Sequence, residues 1–484
     1  MPSRSPRGSG SSWPAVGLAI ASIAVAVSAD AEAAPVTLPL VAALASALLF
    51  VVSLTLRRRR EIAWCEIGFV YVAIVTLYAV YPLLGYLVLD QTFTPYSDQR
   101  LQRLAPGAEE IGRIGWLYVA HLFAFAVTYL VVRRRLPAAV SRPRSPRVSV
   151  GLAVVGLYVA IQGFALVVGL FYDTSAETYV ESYVVARRLP LIVAQALGHL
   201  KGATYPLSIA LLVVLFTRYP RSRWVLIAWI LLTGVVTAAR LGSRTEFALF
   251  ASAIALTYHL LVRPISPRLM VVGSVVGLAA FVAFGVIRGG AALSADRPWH
   301  TLPFAYSTEF EVLFTNALHL ERIRQAGAGL SLPGSLVFGD LAGLLPQQIA
   351  PYTKFDASSW YVTTFFPDYA AVGGGLAFGL IAESVLTGGW VSAMIRGMIL
   401  GTLCAGIHRL YVQRGRSFWM FVFYVWITTS IYQAFRAGTF YPVVLFVYRF
   451  LLVVIVVQVA ATLLEYASRS PRSPRSLPDV PQPA

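Results

Sequence analysis

The sequence predicts an all-α, polytopic helical membrane protein, and three observations lead to that fold class. Of the 484 residues, 57% are hydrophobic and only 13% are charged. Apolar runs of about 17–25 residues recur along the chain, the length that a helix needs to cross a hydrocarbon core about 30 Å thick. The net charge of +17 comes almost entirely from Arg, most of it in short loops between these runs. That placement is the orientation signal of a membrane protein, so we expect no nucleic-acid partner.

Twelve apolar runs are predicted to cross the bilayer, because the loops between them alternate between basic and acidic composition. Nine of these spans lie within residues 13–287 and three within residues 390–465. Basic loops collect on the cytoplasmic side of a membrane, which places both termini in the cytoplasm. The predicted spans are Trp13–Ala29, Val36–Leu56, Ile62–Leu89, Ile114–Val132, Val148–Phe171, a span ending at Phe216, Trp224–Ala239, Phe247–Val262, Leu269–Ile287, Trp390–Ile407, Ser417–Ala434 and Phe440–Leu464.

The segments outside the spans divide into one long outer loop and two tails. Residues 288–389 form the loop, and an amphipathic surface helix is expected within it at Phe310–Ala326. The tails, residues 1–12 and 466–484, are basic and rich in Ser-Pro-Arg. Such low-complexity composition predicts disorder.

The stretch from Gly373 to Gly401 is apolar, but its sequence is not typical of a single membrane-spanning helix. It carries the carboxylate of Glu383 and a break at Gly388-Gly389. If the first half is helical, Gly375, Gly379 and Glu383 share one face. If both halves crossed the membrane, the basic segments that follow would lie outside. Charge bias therefore favours a re-entrant or surface helix up to Gly389, with Glu383 at the outer face.

Arg and Gly recur together at the predicted outer ends of the spans, where the charge bias disfavours Arg. The guanidinium group of Arg holds several N–H donors in a fixed planar geometry that suits phosphate oxygens. Gly has no side chain and allows the backbone to lie close to a bound ligand. These groups could form a diphosphate site, or each Arg could reach the lipid headgroups independently. The Arg residues concerned are Arg240, Arg244, Arg288 and Arg436.

Glu383 is the candidate general base or sugar-binding carboxylate, and the alternative is an ion pair with an outer Arg. Glu246 is expected to pair locally with an Arg, and Arg449 is a candidate because it lies inside the last span. Lys354 is a lone lysine in the Pro-rich part of the outer loop. No nucleotide-binding or metal-binding motif occurs, and Cys65 falls in an apolar segment, so no metal or cofactor is expected.

Several motifs, taken in order, resemble the oligosaccharide repeat-unit polymerases, also called O-antigen or Wzy-type polymerases. They are the Gly375–Glu383 run with Gly397-x-x-x-Gly401, the Gly242-Ser-Arg244 turn, the long outer loop and the Arg436-Ala-Gly turn. One departure is Pro346-Gln347, where the family pattern has Pro-Arg, which puts a phosphate contact in that loop in doubt.

The resemblance implies a GT-C-like membrane glycosyltransferase in the bacterial plasma membrane, active on its outer face. Its substrate would be an oligosaccharide unit linked to undecaprenyl diphosphate in the bilayer. Its partners would include a chain-length regulator and a flippase. The implied catalytic residues are Glu383, Arg244 and Arg436, and the cationic residues that would hold diphosphate or glycan are Arg240, Arg244, Arg288, Lys354 and Arg436. An O-antigen ligase and a flippase for lipid-linked sugars remain alternatives.

Overall fold

The computed structural model describes most of the helical part of the chain, and the statements below concern the described residues. These are residues 34–56, 65–88, 107–133, 143–172, 189–219, 224, 227–228, 244–288, 308–327, 330, 334–345, 355–371 and 375–468. Within them the secondary structure is helical, without a β-strand.

Sixteen α-helices follow one another, with a 3₁₀ segment and a π-helical segment among them. In chain order they are α1 (Ala34–Leu56), α2 (Ile67–Val88), α3 (Ala108–Arg133), α4 (Val148–Phe171), α5 (Leu191–Arg218), α6 (Arg244–Leu261), α7 (Pro267–Arg288), α8 (Thr308–Gln325), the 3₁₀ segment (Gly334–Leu344), α9 (Ala357–Phe365), α10 (Pro367–Ala371), α11 (Leu380–Thr387), α12 (Gly389–Arg414), α13 (Phe418–Ser430), α14 (Tyr432–Arg436), α15 (Tyr441–Leu445), the π segment (Phe446–Leu451) and α16 (Leu452–Ser468).

Eight helical stretches in the described residues are long and apolar enough to cross a membrane, which makes the chain a multi-pass membrane protein. Two more, Phe247–Leu261 and Arg268–Gly277, are apolar but shorter. The predicted span Trp13–Ala29 and most of Trp224–Ala239 lie outside the described residues. The all-helical class is therefore confirmed, while the count of twelve spans stays a prediction. The eight stretches are Ala34–Leu54, Ile67–Val88, Ala108–Arg133, Val148–Phe171, Ile192–Arg218, Gly389–Arg414, Phe418–Arg436 and Tyr441–Ser468.

Helices α3 and α12 pack backbone to backbone along one side of α12. A Cβ atom added at Gly397 would lie 2.4 Å from the carbonyl oxygen of His121, and one at Gly401 would lie 2.7 Å from that of Phe125. Small residues four apart allow this approach, which provides dispersion contacts where lipid offers no hydrophobic driving force. The imidazole of His121 adds a hydrogen bond of 3.0 Å from Nδ1 to the carbonyl oxygen of Ala393.

A buried ion pair joins α2, α3 and α12 at the opposite end of α12 from Gly389. Glu66 accepts hydrogen bonds from Arg133 and from the hydroxyl of Tyr129. Nε2 of His408 lies 3.6 Å from the same carboxylate, and Nδ1 of His408 lies 2.9 Å from the hydroxyl of Tyr424 on α13. Because Glu66 is fully buried, it needs these partners to be tolerated there.

Helix α8, for which the composition predicts a surface helix, is buried over its first part and exposed at its end, from Arg324 on. Every residue from 310 to 318 is buried. Phe310 packs on Tyr78 of α2 with ring centroids 5.2 Å apart, and Phe314 stacks on Tyr118 of α3 at 5.6 Å. The loop region between α7 and α12 is thus anchored in the helical bundle.

We expect Gly397→Ala and Gly401→Ala each to lower the unfolding free energy by about 1–3 kcal/mol, because each new methyl group would overlap the backbone of α3. Thermal unfolding of the purified protein in detergent measures the effect. Gly406→Ala is the matched control on the same helix, since a Cβ there meets no atom within 4 Å. Equal effects at all three positions would contradict the close packing.

Candidate functional site

A short helix and a glycine break place Glu383 next to α12. Helix α11 begins after Gly379, where φ is +86°, and ends at Gly388, where φ is +143°. Helix α12 then starts at Gly389, so the break lies where the Gly-Gly pair predicts it. Residues 375–379 are not helical, and the shared face expected for Gly375, Gly379 and Glu383 does not form. That expectation is wrong because the left-handed φ of Gly379 ends any helical path at this point.

The partner of Glu383 is Arg396, about two turns into α12. Nη1 of Arg396 donates to Oε2 of Glu383 at 2.5 Å and to Oγ1 of Thr439 at 2.9 Å. Its Nε lies 3.3 Å from Oγ of Ser392. The side chain of Arg396 is fully buried, whereas that of Glu383 remains 12% exposed. The ion pair therefore has one edge open to its surroundings, and that edge belongs to the carboxylate.

One donor group of this arginine has no partner in the described part of the chain. Nη2 of Arg396 is buried and makes no hydrogen bond there. An unsatisfied buried guanidinium N–H is costly, because it has lost water without gaining an acceptor. Such a group is suited to an anionic or carbonyl oxygen that arrives with a ligand.

Asp340 of the 3₁₀ segment is a second carboxylate near the same arginine. Its Oδ2 accepts the backbone N–H of Phe440 at 2.9 Å. The chain passes the carboxylate closely at Gly438, where φ is +154° and an added Cβ would lie 2.4 Å from Oδ2. The turn after α14 thus brings Asp340 and Thr439 to Arg396, and these residues with Glu383 form what we call the Arg396 cluster.

Burial and charge raise the pKa of both carboxyl groups in the Arg396 cluster. Burial raises the pKa of Glu383 to about 7, the positive charge of Arg396 opposes this increase, and the negative charge of Asp340 adds to it. Burial likewise raises the pKa of Asp340, opposed by the hydrogen bond from Phe440 and by Arg396. A carboxyl group with a pKa near neutrality can both accept and release a proton under cellular conditions.

Among the Arg residues that the sequence singles out, Arg436 is the one that the described structure connects with the Arg396 cluster. It ends α14, is half-buried, and leads through Ala437 and Gly438 into the turn that holds Thr439. Arg449 lies elsewhere, exposed in the π segment.

The remaining candidates lie wholly or partly outside the described residues. Arg244 begins α6, Glu246 lies in its first turn, and Arg288 ends α7, but their side chains are outside the described part. Arg240 and Lys354 lie outside the described residues altogether.

Sequence reasoning missed Arg396, Asp340 and Thr439. The signal for Arg396 was present, since an Arg inside an apolar run is a functional candidate by default, the same argument that selected Arg449. Asp340 and Thr439 carried no comparable signal, because only the fold of the loop and the turn brings them to Arg396.

Neither a metal site in the described part of the chain nor a related protein was found that would assign a further role to these residues. Within the described ranges, no three His, Cys, Asp or Glu side chains lie together in a way that could hold a metal ion. No protein-family model, curated protein or solved structure matches the chain.

We expect a double-mutant cycle to show strong coupling between Glu383 and Arg396. Glu383→Leu and Arg396→Met should each cost about 3–5 kcal/mol of unfolding free energy, because each leaves an uncompensated charge in the protein. The double variant should cost much less than the sum. Chemical unfolding in mixed detergent micelles gives the four values, with the exposed Arg414→Met as control. Additive losses would mean that the two side chains do not form this pair.

Proposed function

We propose that the protein is a membrane glycosyltransferase that polymerises oligosaccharide units, linked to undecaprenyl diphosphate, into a cell-surface polysaccharide. One observation carries this proposal. The two late segments on which the resemblance to repeat-unit polymerases rests, residues 375–401 and 436–438, meet at one place. Arg396 of the first segment hydrogen-bonds Glu383 and also Thr439, the residue that follows the second.

The Arg396 cluster has the groups that glycosyl transfer needs. A hydroxyl oxygen of the acceptor unit attacks the anomeric carbon of the growing chain, and the bond from that carbon to the diphosphate oxygen breaks. The diphosphate leaves with the electron pair, and the hydroxyl proton passes to the carboxylate of Glu383. Nη2 of Arg396, which has no acceptor in the described residues, is available to donate to an oxygen that gains negative charge.

The proposal keeps the orientation and the wider substrate site that the sequence suggests. Both termini are cytoplasmic, the Arg396 cluster opens to the outer face of the bacterial plasma membrane, and the architecture is GT-C-like with twelve spans. Arg436 would contribute charge beside the cluster, and Arg240, Arg244, Arg288 and Lys354 would add cations for diphosphate or glycan. A flippase and a chain-length regulator would act as partners.

One feature favours a flippase for lipid-linked sugars as a second candidate. A transporter is expected to carry ionisable groups along the interior of its bundle. The pair of Glu66 with Arg133, buried at the end of α12 opposite the Arg396 cluster, is such a group. The long loop region packed beside Glu383 is the reason to prefer the transferase.

Deletion of the gene and complementation with variants separates these functions. A polymerase predicts accumulation of single repeat units on the carrier lipid in the deletion strain. We expect Glu383→Gln and Arg396→Met to restore less than about one hundredth of the long chains, because general acid–base groups contribute about 10²–10⁴-fold to rate. Arg436→Ala should also reduce them, whereas the exposed Arg409→Gln should restore them fully at matched protein levels.

Other outcomes of the complementation would point elsewhere. Long chains that stay on the carrier without reaching their final acceptor would indicate a ligase. Units that never reach the outer face would indicate a flippase. Full activity of the Glu383 and Arg396 variants would remove the Arg396 cluster from the mechanism.

The rate of polymer formation should depend on pH through Glu383. The carboxylate accepts a proton only when ionised, and its pKa is raised to about 7, so activity should fall as pH drops below that value. Asp340→Asn removes a negative charge that raises the pKa of Glu383. The pH below which activity falls should therefore be lower in this variant. Rates in membranes over about pH 5 to 9 measure the shift. Asp368→Asn, exposed on α10, is the control. If activity falls at the same pH in Asp340→Asn as in the unmodified protein, Glu383 is not the group that accepts the proton.

A further inference from the structure

Two cations lie on the outside of the bundle within apolar helices, away from the Arg396 cluster. Arg449 is exposed in the π segment, and apart from Glu465 it is the one Asp, Glu, Lys or Arg among the apolar residues 442–465. Lys201 is exposed on α5, inside the stretch Ile192–Arg218 that is apolar enough to cross a membrane. A charge at such a position is expensive in hydrocarbon unless something compensates it.

Arg449 lies against the residue that follows Lys201. A Cβ atom placed on Gly202 would lie 3.1 Å from Nε of Arg449 and 3.3 Å from its Cδ. The side chain of Arg449 therefore passes over α5 at Gly202. Arg449 thus lies next to the backbone position that directly follows Lys201.

The two buried arginines of the described apolar helices have carboxylate partners. Arg396 pairs with Glu383, and Arg133 with Glu66. For Arg449 and Lys201, no carboxylate of the described residues lies within 4.0 Å. An external anion can compensate these two charges, because guanidinium and ammonium groups together suit phosphate oxygens.

The surroundings indicate an anion that carries a long apolar tail. Beyond Arg449, α16 exposes a row of large aliphatic side chains at helical spacing. These are Leu452, Ile455, Val456, Val459 and Leu463. The apolar tail of a lipid whose headgroup contacts Arg449 can pack along these side chains.

The π segment also connects this surface to the Arg396 cluster. The hydroxyl of Tyr448 donates to the carbonyl oxygen of Leu344 at 2.9 Å. Leu344 ends the 3₁₀ segment that carries Asp340. Insertions that form a π-helix interrupt the regular ladder and often occur at functional sites. A lipid held at Arg449 is therefore next to the element that delivers Asp340 to the cluster.

We propose that Arg449 and Lys201, brought together at Gly202, bind the diphosphate headgroup of an isoprenoid lipid that enters sideways from the bilayer. The site rests on the proposed function for the identity of its ligand, because the lipid would be the carrier of the acceptor unit, whose far-end hydroxyl attacks the growing chain. The diphosphate contacts both cations, the isoprenoid chain follows α16, and the glycan extends towards the Arg396 cluster.

Binding of undecaprenyl diphosphate to the purified full-length protein, measured by native mass spectrometry in detergent, tests the site. Arg449→Gln and Lys201→Gln should each weaken binding about tenfold, the loss expected for one charge-assisted contact. Gly202→Leu should weaken it similarly by displacing the guanidinium. Gly198→Leu is the matched control one turn away, since a Cβ there meets no atom within 4 Å. Arg409→Gln controls for total charge.

The same variants are titrated with phosphatidylglycerol to test the class of lipid. Equal losses for both lipids would overturn the assignment to an isoprenoid diphosphate, and unchanged binding in all variants would overturn the site. If Arg449→Gln fails to fold, Lys201→Gln and Gly202→Leu decide the question. Binding needs no catalysis, so the two proposals can fail separately. Arg449-dependent binding with no role in polymer formation would count against the transferase alone.

Discussion

The candidate site depends on the ion pair of Glu383 with Arg396, which brings separate parts of the chain together. A buried guanidinium must be compensated, and this one draws its partners from α11, from its own helix and from the turn after α14. The glycine break at Gly388 lets α11 fold back beside α12 and present the carboxylate. The turn at Gly438 brings Thr439 to the arginine and Asp340 to its edge.

The packing of α12 explains how the bundle holds such a charged group. On one side, Gly397 and Gly401 bring the backbone of α3 into contact, and His121 binds the carbonyl oxygen of Ala393. On another side lies Arg396, buried only one residue away from Gly397. Close backbone packing holds the helix rigidly, so the guanidinium keeps its position while one donor stays without an acceptor in the described residues. Preorganised donors of this kind stabilise developing charge without reorganising.

Charge compensation separates three kinds of site in the described helices. The Glu66 pair with Arg133 is enclosed and ties helices together. The Glu383 pair with Arg396 keeps its carboxylate partly exposed, in keeping with chemistry at its edge. Arg449 and Lys201 are exposed to the outside of the bundle, where a lipid anion can reach them. The same physical cost, a charge removed from water, is thus met by an enclosed pair, by a pair with one exposed edge, and by two exposed cations for which we propose a lipid anion.

The sequence by itself determined the membrane class and most helix positions in the described residues, and it singled out Glu383 as a candidate. Span length and the spacing of apolar residues are local properties, and the Gly-Gly break shows directly in the chain. Only the tertiary structure shows which residues contact Glu383. Arg396 could have been suspected, since it lies inside an apolar run, but Asp340 and Thr439 could not, because their roles come from contacts across 43 or more residues. The burial of the first part of α8 depends on tertiary structure for the same reason. Its polar residues suggested a surface, and only the packing of Phe310 and Phe314 on other helices shows that this part is buried.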